Sequence, residues 1–179
     1  MKTIANIGLI VVLTLMTIIT GCKKDDIQQG EITIKMTDAP ADFIAVNVEV
    51  LQVNVHYANN PGTGWITLQT NAGIYNLLDL QNNVTAVLAN NQTLSIGRIT
   101  QMRLILGQNN TVATTDTILP LELSSQDQTG LKINSNFEIT SNGNVEIVLD
   151  FDAEKSIVDE GNGTYKLKPV IFVKNIINN

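Results

Sequence analysis

Apolar and polar residues alternate with a period of two through most of the chain after Gly30, the pattern of strands with one buried face. Ile32, Ile34 and Met36 alternate with Glu31, Thr33, Lys35 and Thr37. The pattern returns in Met102, Leu104 and Leu106, in Leu131, Ile133, Phe137 and Ile139, and in Val145, Ile147, Leu149 and Phe151. Between Phe43 and Tyr57 the parity changes: Val46, Val48 and Val50 share one side, and Leu51, Val53 and Val55 the other. A slip of one residue exchanges the buried face, so a bulge or a change of sheet is expected near Val50-Leu51. Further strands are expected at 65–69, 74–80, 117–123 and 165–174. Turn residues punctuate these runs at Asn59-Asn60-Pro61-Gly62, Asn109-Asn110, Ser141-Asn142-Gly143 and Glu160-Gly161-Asn162-Gly163. Asn142-Gly143 lies between two alternating runs and predicts a hairpin. One stretch departs from the period: Val84, Val87 and Leu88 fall at i, i+3 and i+4, with Asn82 or Asn83 as N-cap, which predicts one short helix at 83–89. Many short strands separated by frequent turns predict an all-β fold, a single antiparallel β-sandwich of the immunoglobulin-like Greek-key type.

The first residues follow a different rule. Met1-Lys2 gives a short positive start, and a largely apolar run of 16 residues follows from Ile4 to Ile19. That is short for a bilayer span and suited to a signal-peptide core. The run ends in Ile19-Thr20-Gly21-Cys22, which resembles the bacterial lipobox: an aliphatic residue, two small ones, then the Cys that is lipidated. The resemblance implies that Cys22 begins the mature chain and carries acyl groups. Each buried CH₂ contributes about 0.8 kcal/mol, so several chains anchor durably where one does not. Lys23-Lys24-Asp25-Asp26 resembles the surface-export signal of Bacteroidetes lipoproteins and would also serve as a solvated tether. The expected organisation is a signal peptide over 1–21, a lipidated tether over 22–29 and a β-sandwich domain over 30–179.

Charge and composition narrow the chemistry. Eleven Lys and Arg against 17 Asp and Glu give a formal charge of −6, and removal of the signal with Lys2 makes it −7. An electrostatic nucleic-acid binder is basic, so nucleic acid is not an expected partner. One Cys and one His exclude Cys/His zinc clusters, and a lipidated Cys22 leaves no thiol for a disulfide or a Cys–His pair. No Gly-x-Ser-x-Gly elbow, His-Glu-x-x-His motif or phosphate-binding loop occurs, so a non-enzymatic role is expected.

Several residues are candidates for binding. Asp150 and Asp152 fall on one side of a strand and, with Asp38 or Asp42, supply the oxygen ligands of a candidate Ca²⁺ site. The competing reading is structural: one Asp pairs with Arg103 or Lys155 and the other caps the turn at Ala153. Arg103 lies on the parity opposite Met102 and Leu104, and an ion pair with Asp150 or Asp152 is expected if its face is covered. Trp65, Tyr57 and Tyr75 are candidates for stacking on a sugar ring, although Trp65 after Gly62-Thr63-Gly64 also reads as a plug at the sandwich rim. His56, without a second ligand residue, reads as a strand residue near a turn. Asp116-Thr117-Ile118 resembles the O-glycosylation sequon of exported Bacteroidetes proteins and makes Thr117 a candidate for modification.

Larger blocks carry a family resemblance. They are Met36-Thr37-Asp38-Ala39-Pro40-Ala41-Asp42, Gly64-Trp65-Ile66-Thr67-Leu68, Leu77-Leu78-Asp79-Leu80 and the run Leu94 to Leu104. Gln128-Thr129-Gly130-Leu131-Lys132, Leu149-Asp150-Phe151-Asp152-Ala153, Lys155-Ser156-Ile157-Val158 and Tyr165 to Val170 complete the series. In this order they resemble domain-of-unknown-function family 4382, found in Bacteroidetes and other bacterial lipoproteins. Ile99 stands where that family often has Tyr, and Leu123-Ser124 where it often has Pro-Ser. The resemblance implies a sandwich of the prealbumin or carboxypeptidase-regulatory kind and transfers no catalytic residue. The expected function is that of a surface-facing outer-membrane lipoprotein acting in binding, adhesion or envelope assembly. Its partners would be the membrane, through the lipid, and another surface protein or glycan. An accessory carbohydrate-binding module of a polysaccharide-capture system is the alternative, and a hydrolase the third.

Overall fold

A computed structural model describes residues 28–58, 64–125 and 127–179. Cys22, the expected signal peptide, nearly all of the expected tether and the turn expected at Asn59-Asn60-Pro61-Gly62 lie outside the described residues. The strands in chain order are β1 (Gln29–Asp38), β2 (Ala45–Tyr57), β3 (Trp65–Thr67), β4 (Gly73–Asn76), β5 (Ala86–Ser95), β6 (Gly97–Leu106) and β7 (Thr111–Ala113). They continue with β8 (Ile118–Leu123), β9 (Leu131–Ile139), β10 (Asn144–Phe151), β11 (Ile157–Gly161), β12 (Thr164–Leu167) and β13 (Ile171–Asn178). One helical turn, α1 (Ala153–Ser156), and two 3-10 turns at Leu77–Leu80 and Asp127–Thr129 interrupt them. Among the described residues, no helix is long and apolar enough to cross a membrane.

The strands form an all-β sandwich of two sheets. A four-stranded sheet has the order β13-β10-β1-β5, and a nine-stranded sheet follows β11-β12-β8-β7-β2-β6-β9, with β3 and β4 added along β2. The alternating residues do what their period demands. Ile32, Ile34, Met36, Ile147, Leu149 and Phe151 of the smaller sheet join Val46, Val48, Val53, Val55, Met102 and Leu104 of the larger in one buried cluster. Burying each such side chain contributes about 1.5–3 kcal/mol, which is what holds the sheets face to face. The parity change in β2 is real. Its pairing with β6 shifts register between Val50 and Gln52, and Leu51 is left exposed.

Four expectations need correction. The pairing is not wholly antiparallel, because β1 runs parallel to β10 and β8 parallel to β12. The helix expected at 83–89 is turn and strand. Asn82 and Asn83 both have positive φ, a turn conformation and not an N-cap, and residues from Ala86 onward belong to β5. Val84 precedes the strand, and Val87 and Leu88 lie in a bulged one, since β5 pairs with β1 through two register shifts. Asn142-Gly143 is not a hairpin either: β9 bonds to β6 and β10 to β1, so this turn carries the chain from one sheet to the other. The strand expected over 165–174 divides at Lys168-Pro169-Val170, where a residue without an N–H closes β12 and β13 joins the other sheet.

Candidate functional site

Charge gathers in two places. The first is the end of the four-stranded sheet, where β1 and β10 finish side by side with Asp38 opposite Phe151. Asp38, Asp150 and Asp152 are only 2%, 4% and 5% exposed. Asp38 keeps the parity of Ile32, Ile34 and Met36 and so extends the core-facing side of its strand, whereas Asp150 takes the opposite parity. Asp152 lies past the end of β10 and is the N-cap of α1. Each acid has its own donor. The Ala153 N–H donates to Asp38 Oδ1 at 3.0 Å. Lys174 of β13 reaches Asp150 Oδ2 at 2.8 Å. Lys155 gives Asp152 both its N–H, at 3.0 Å to Oδ1, and its ammonium, at 2.6 Å to Oδ2.

The electrostatics follow from these partners. Burial pushes the Asp38 carboxyl up to about 6; the Ala153 N–H and the nearby Gln81 amide pull against the rise, and the charges of Asp150 and Asp152 add to it. Asp38 Oδ2 and Gln81 Nε2 are nonetheless both buried outside hydrogen-bond geometry. At Asp152 burial also raises, but the Lys155 ammonium and N–H outweigh it and hold the carboxyl below its ordinary range. The competing structural reading of these acids holds in part: pairing with Lys155 and capping of the turn, expected of two acids, both fall to Asp152, and Asp150 pairs with Lys174. Asp42 is exposed and stands apart, its N–H donating to Glu154 Oε2. Among the described residues, no three His, Cys, Asp or Glu side chains form a group with metal-holding geometry.

The expected ion pair of Arg103 with Asp150 or Asp152 does not form. Arg103 lies on β6 of the larger sheet, while the acids close the smaller one, where Lys174 stands one diagonal step from Asp150 along β13. Arg103 instead places its guanidinium carbon 4.3 Å from the centroid of the Trp65 ring, a cation–π contact. Its Nε is buried with no hydrogen-bond partner. His56 meets the same indole edge-on, with ring centroids 4.9 Å apart and planes at 61°. Trp65 is thus no core plug: it lies partly exposed across the outer face of the sheet, on β3 opposite His56.

Two glycines make this arrangement fit. Gly64, at φ +69°, passes so close to His56 that a Cβ would sit 2.6 Å from Nε2. Gly130, at φ +100°, lies over Arg103, where a Cβ would sit 2.6 Å from Cγ and Cδ. Either side chain would displace the ring or the guanidinium stem.

The other aromatic candidates do not converge on Trp65. Tyr57 turns inward from β2 and donates to the Ser95 carbonyl at 2.6 Å, and Tyr75 of β4 donates to the Asn71 carbonyl. Thr117 is exposed in the tight turn between β7 and β8, where its carbonyl accepts from the Thr114 N–H at 2.9 Å. Lys174 and Lys132, which turn out to define the two charged regions, were not singled out from sequence. Lys174 becomes visible only once β13 is known to pair with β10. No curated protein and no solved structure matches the chain. Residues 29–169 match the family described as Domain of unknown function (DUF4382), and the chain belongs to that family.

Proposed function

We propose that the protein is a surface-facing, lipid-anchored binding module of a Bacteroidetes-type outer membrane, acting without catalysis. Two features support the reading. Ile19-Thr20-Gly21-Cys22, followed by Lys23-Lys24-Asp25-Asp26, provides a lipidation site and a polar tether ahead of the first strand. The buried acids are each committed to holding the end of one sheet, whereas the outer face of the other sheet carries Trp65, His56, Arg103 and Lys132 toward the surroundings. The second observation carries the binding role, because two cations that face each other and form no ion pair among the described residues are available to an anionic partner.

The anchor is tested by growing cells with radiolabelled palmitate. The purified protein takes up label, a Cys22→Ala variant does not, and the variant leaves the membrane fraction. Unlabelled wild-type protein would overturn the anchor. Protease added to intact cells should degrade the protein; complete protection would put it on the inner side of the membrane.

A further inference from the structure

We propose that the outer face of the nine-stranded sheet, across β3, β2, β6 and β9, binds an acidic glycan: a sugar polymer bearing carboxylates. The inference rests on the binding role above and names the ligand. Strand register lays out two rows across this face. One row is Thr67, Asn54, Arg103 and Lys132; the next is Trp65, His56, Gln101 and Asn134. Adjacent strands lie about 4.8 Å apart, so each row spans about 14 Å. Neither row contains a carboxylate.

Charge complementarity selects the ligand. Arg103 and Lys132 are direct cross-strand partners, and like charges in that position destabilise a sheet. Among the described residues, neither forms an ion pair. The carboxylate just ahead of β9, Asp127, accepts from Ser124 Oγ at 2.6 Å, and Glu138 stands opposite Arg98 toward the other end of β9. A chain of net charge −6 has acids in excess, so an uncompensated cation pair on one face is not a result of composition. A carboxylate laid over the pair relieves the repulsion and accepts the donors of a guanidinium that Trp65 already holds in place.

The rest of the face suits sugar. Gln101 and Asn134 each offer a donor and an acceptor in one plane, the combination that hydroxyl groups match, whereas the Asn54 oxygen is buried. Trp65, partly exposed and held between Arg103 over its ring and His56 in T-shaped contact, supplies its remaining apolar area for a sugar ring. A broad sheet face fits an extended polymer better than a small molecule, which binds in a concave site. The acidic body repels a polymer as densely charged as nucleic acid, whereas a glycan with one carboxylate per ring or fewer pays less of that repulsion and gains more from stacking.

Calorimetric titration of the full-length protein in detergent, with EDTA present, tests this with oligogalacturonate and a neutral maltooligosaccharide of equal length. Oligogalacturonate should bind, and the neutral chain should bind at least about tenfold more weakly. Lys132→Glu should lower affinity by about tenfold or more while its melting temperature does not fall, since Lys132 is exposed and Glu sets an unlike charge opposite Arg103. Arg103→Met should do the same to affinity. Absence of oligogalacturonate binding, equal binding of the neutral chain, or full affinity in Lys132→Glu would overturn the proposal. So would binding of anionic phospholipid vesicles through these residues without oligogalacturonate binding. Palmitate labelling separates the two claims: labelled protein that ignores oligogalacturonate keeps the anchor and loses the ligand, and the converse keeps the ligand alone.

Discussion

The end of the four-stranded sheet and the outer face of the nine-stranded sheet both concentrate charge, and they treat it in opposite ways. At the sheet end three nearly buried acids are each met by a donor: Lys174, Lys155 or the Ala153 N–H. On the outer face two cations oppose each other across strands and make no ion pair among the described residues. Burial explains the first arrangement, because an ionised group removed from water without a partner costs several kcal/mol. In the second, Arg103 has a cation–π contact with Trp65 but no ionic partner, and solvent tolerates the like-charged pair at the cost of a few tenths of a kcal/mol. The contrast separates structural charge from available charge more reliably than residue type does. Asp clusters invite a metal reading and cross-strand cations invite none, yet here the acids have donors and the cations, among the described residues, have no ionic partner.

The contrast is broken most severely by removing one buried partner. Lys174→Met leaves Asp150, 4% exposed and with Oδ1 already unpartnered, facing an apolar side chain. The loss should be about 3 kcal/mol, the lower end for a broken buried pair because Lys174 itself is 33% exposed. Urea unfolding measures it directly. A change below about 0.5 kcal/mol would show that water replaces the ammonium and that this end of the sheet is not sealed.

Asp38 gives a subtler effect with a defined pH window. Its folded carboxyl titrates near 6 against an ordinary value of 3.8, so between these values the folded protein binds more protons than the unfolded chain. Stability therefore falls as pH rises from about 4 to about 6 and is level above, a cost on the order of 3 kcal/mol at neutral pH. Asp38→Asn keeps an oxygen for the Ala153 N–H and removes the charge. It should be more stable than wild type at pH 8, with the advantage shrinking through pH 6 and gone near pH 4. Thermal melts across that range check it, and an advantage independent of pH would mean that the buried charge is not the cause. Asp152 opposes this trend: its lowered carboxyl contributes stability above pH 4 that is lost as pH falls through its folded value.

How much of this was legible in sequence depended on how local each signal is. The strands of Ile32 to Met36, Val145 to Phe151 and Met102 to Leu106 were readable because burial of one face imposes a period of two on neighbouring residues. The parity change at Val50-Leu51 announced its bulge for the same reason. β5 was hidden because its bulges place Leu88 and Ala89 on the core side in succession, and Asn91 at φ 44° breaks the alternation that follows. Sheet membership was hidden too, since the parallel partner of β1 lies more than a hundred residues away and no local pattern records it. At the charged regions Asp152 as a cap was legible from its place before Ala153-Glu154-Lys155, while Asp150–Lys174 and Arg103–Trp65 depend on which strands become neighbours. Trp65 read as a plug because isolated aromatics are usually buried; its strand runs beside β2 with the indole on the outer side.

The smallest effect falls on the open face, and its sign sharpens the comparison. Lys132→Gln removes one member of the cross-strand pair with Arg103 and buries nothing new. At low salt the variant should match wild type or exceed it by up to about 0.5 kcal/mol, because the lost charge was repelled more than it was attracted. Raising salt to about 0.5 M screens the repulsion and should erase the difference, whereas Lys174→Met keeps most of its deficit because a pair shielded from water is screened far less. Destabilisation of more than about 1 kcal/mol by Lys132→Gln would mean that the lysine serves an intramolecular partner. The two regions would then follow one rule, and the outer face would have no cation to offer a ligand.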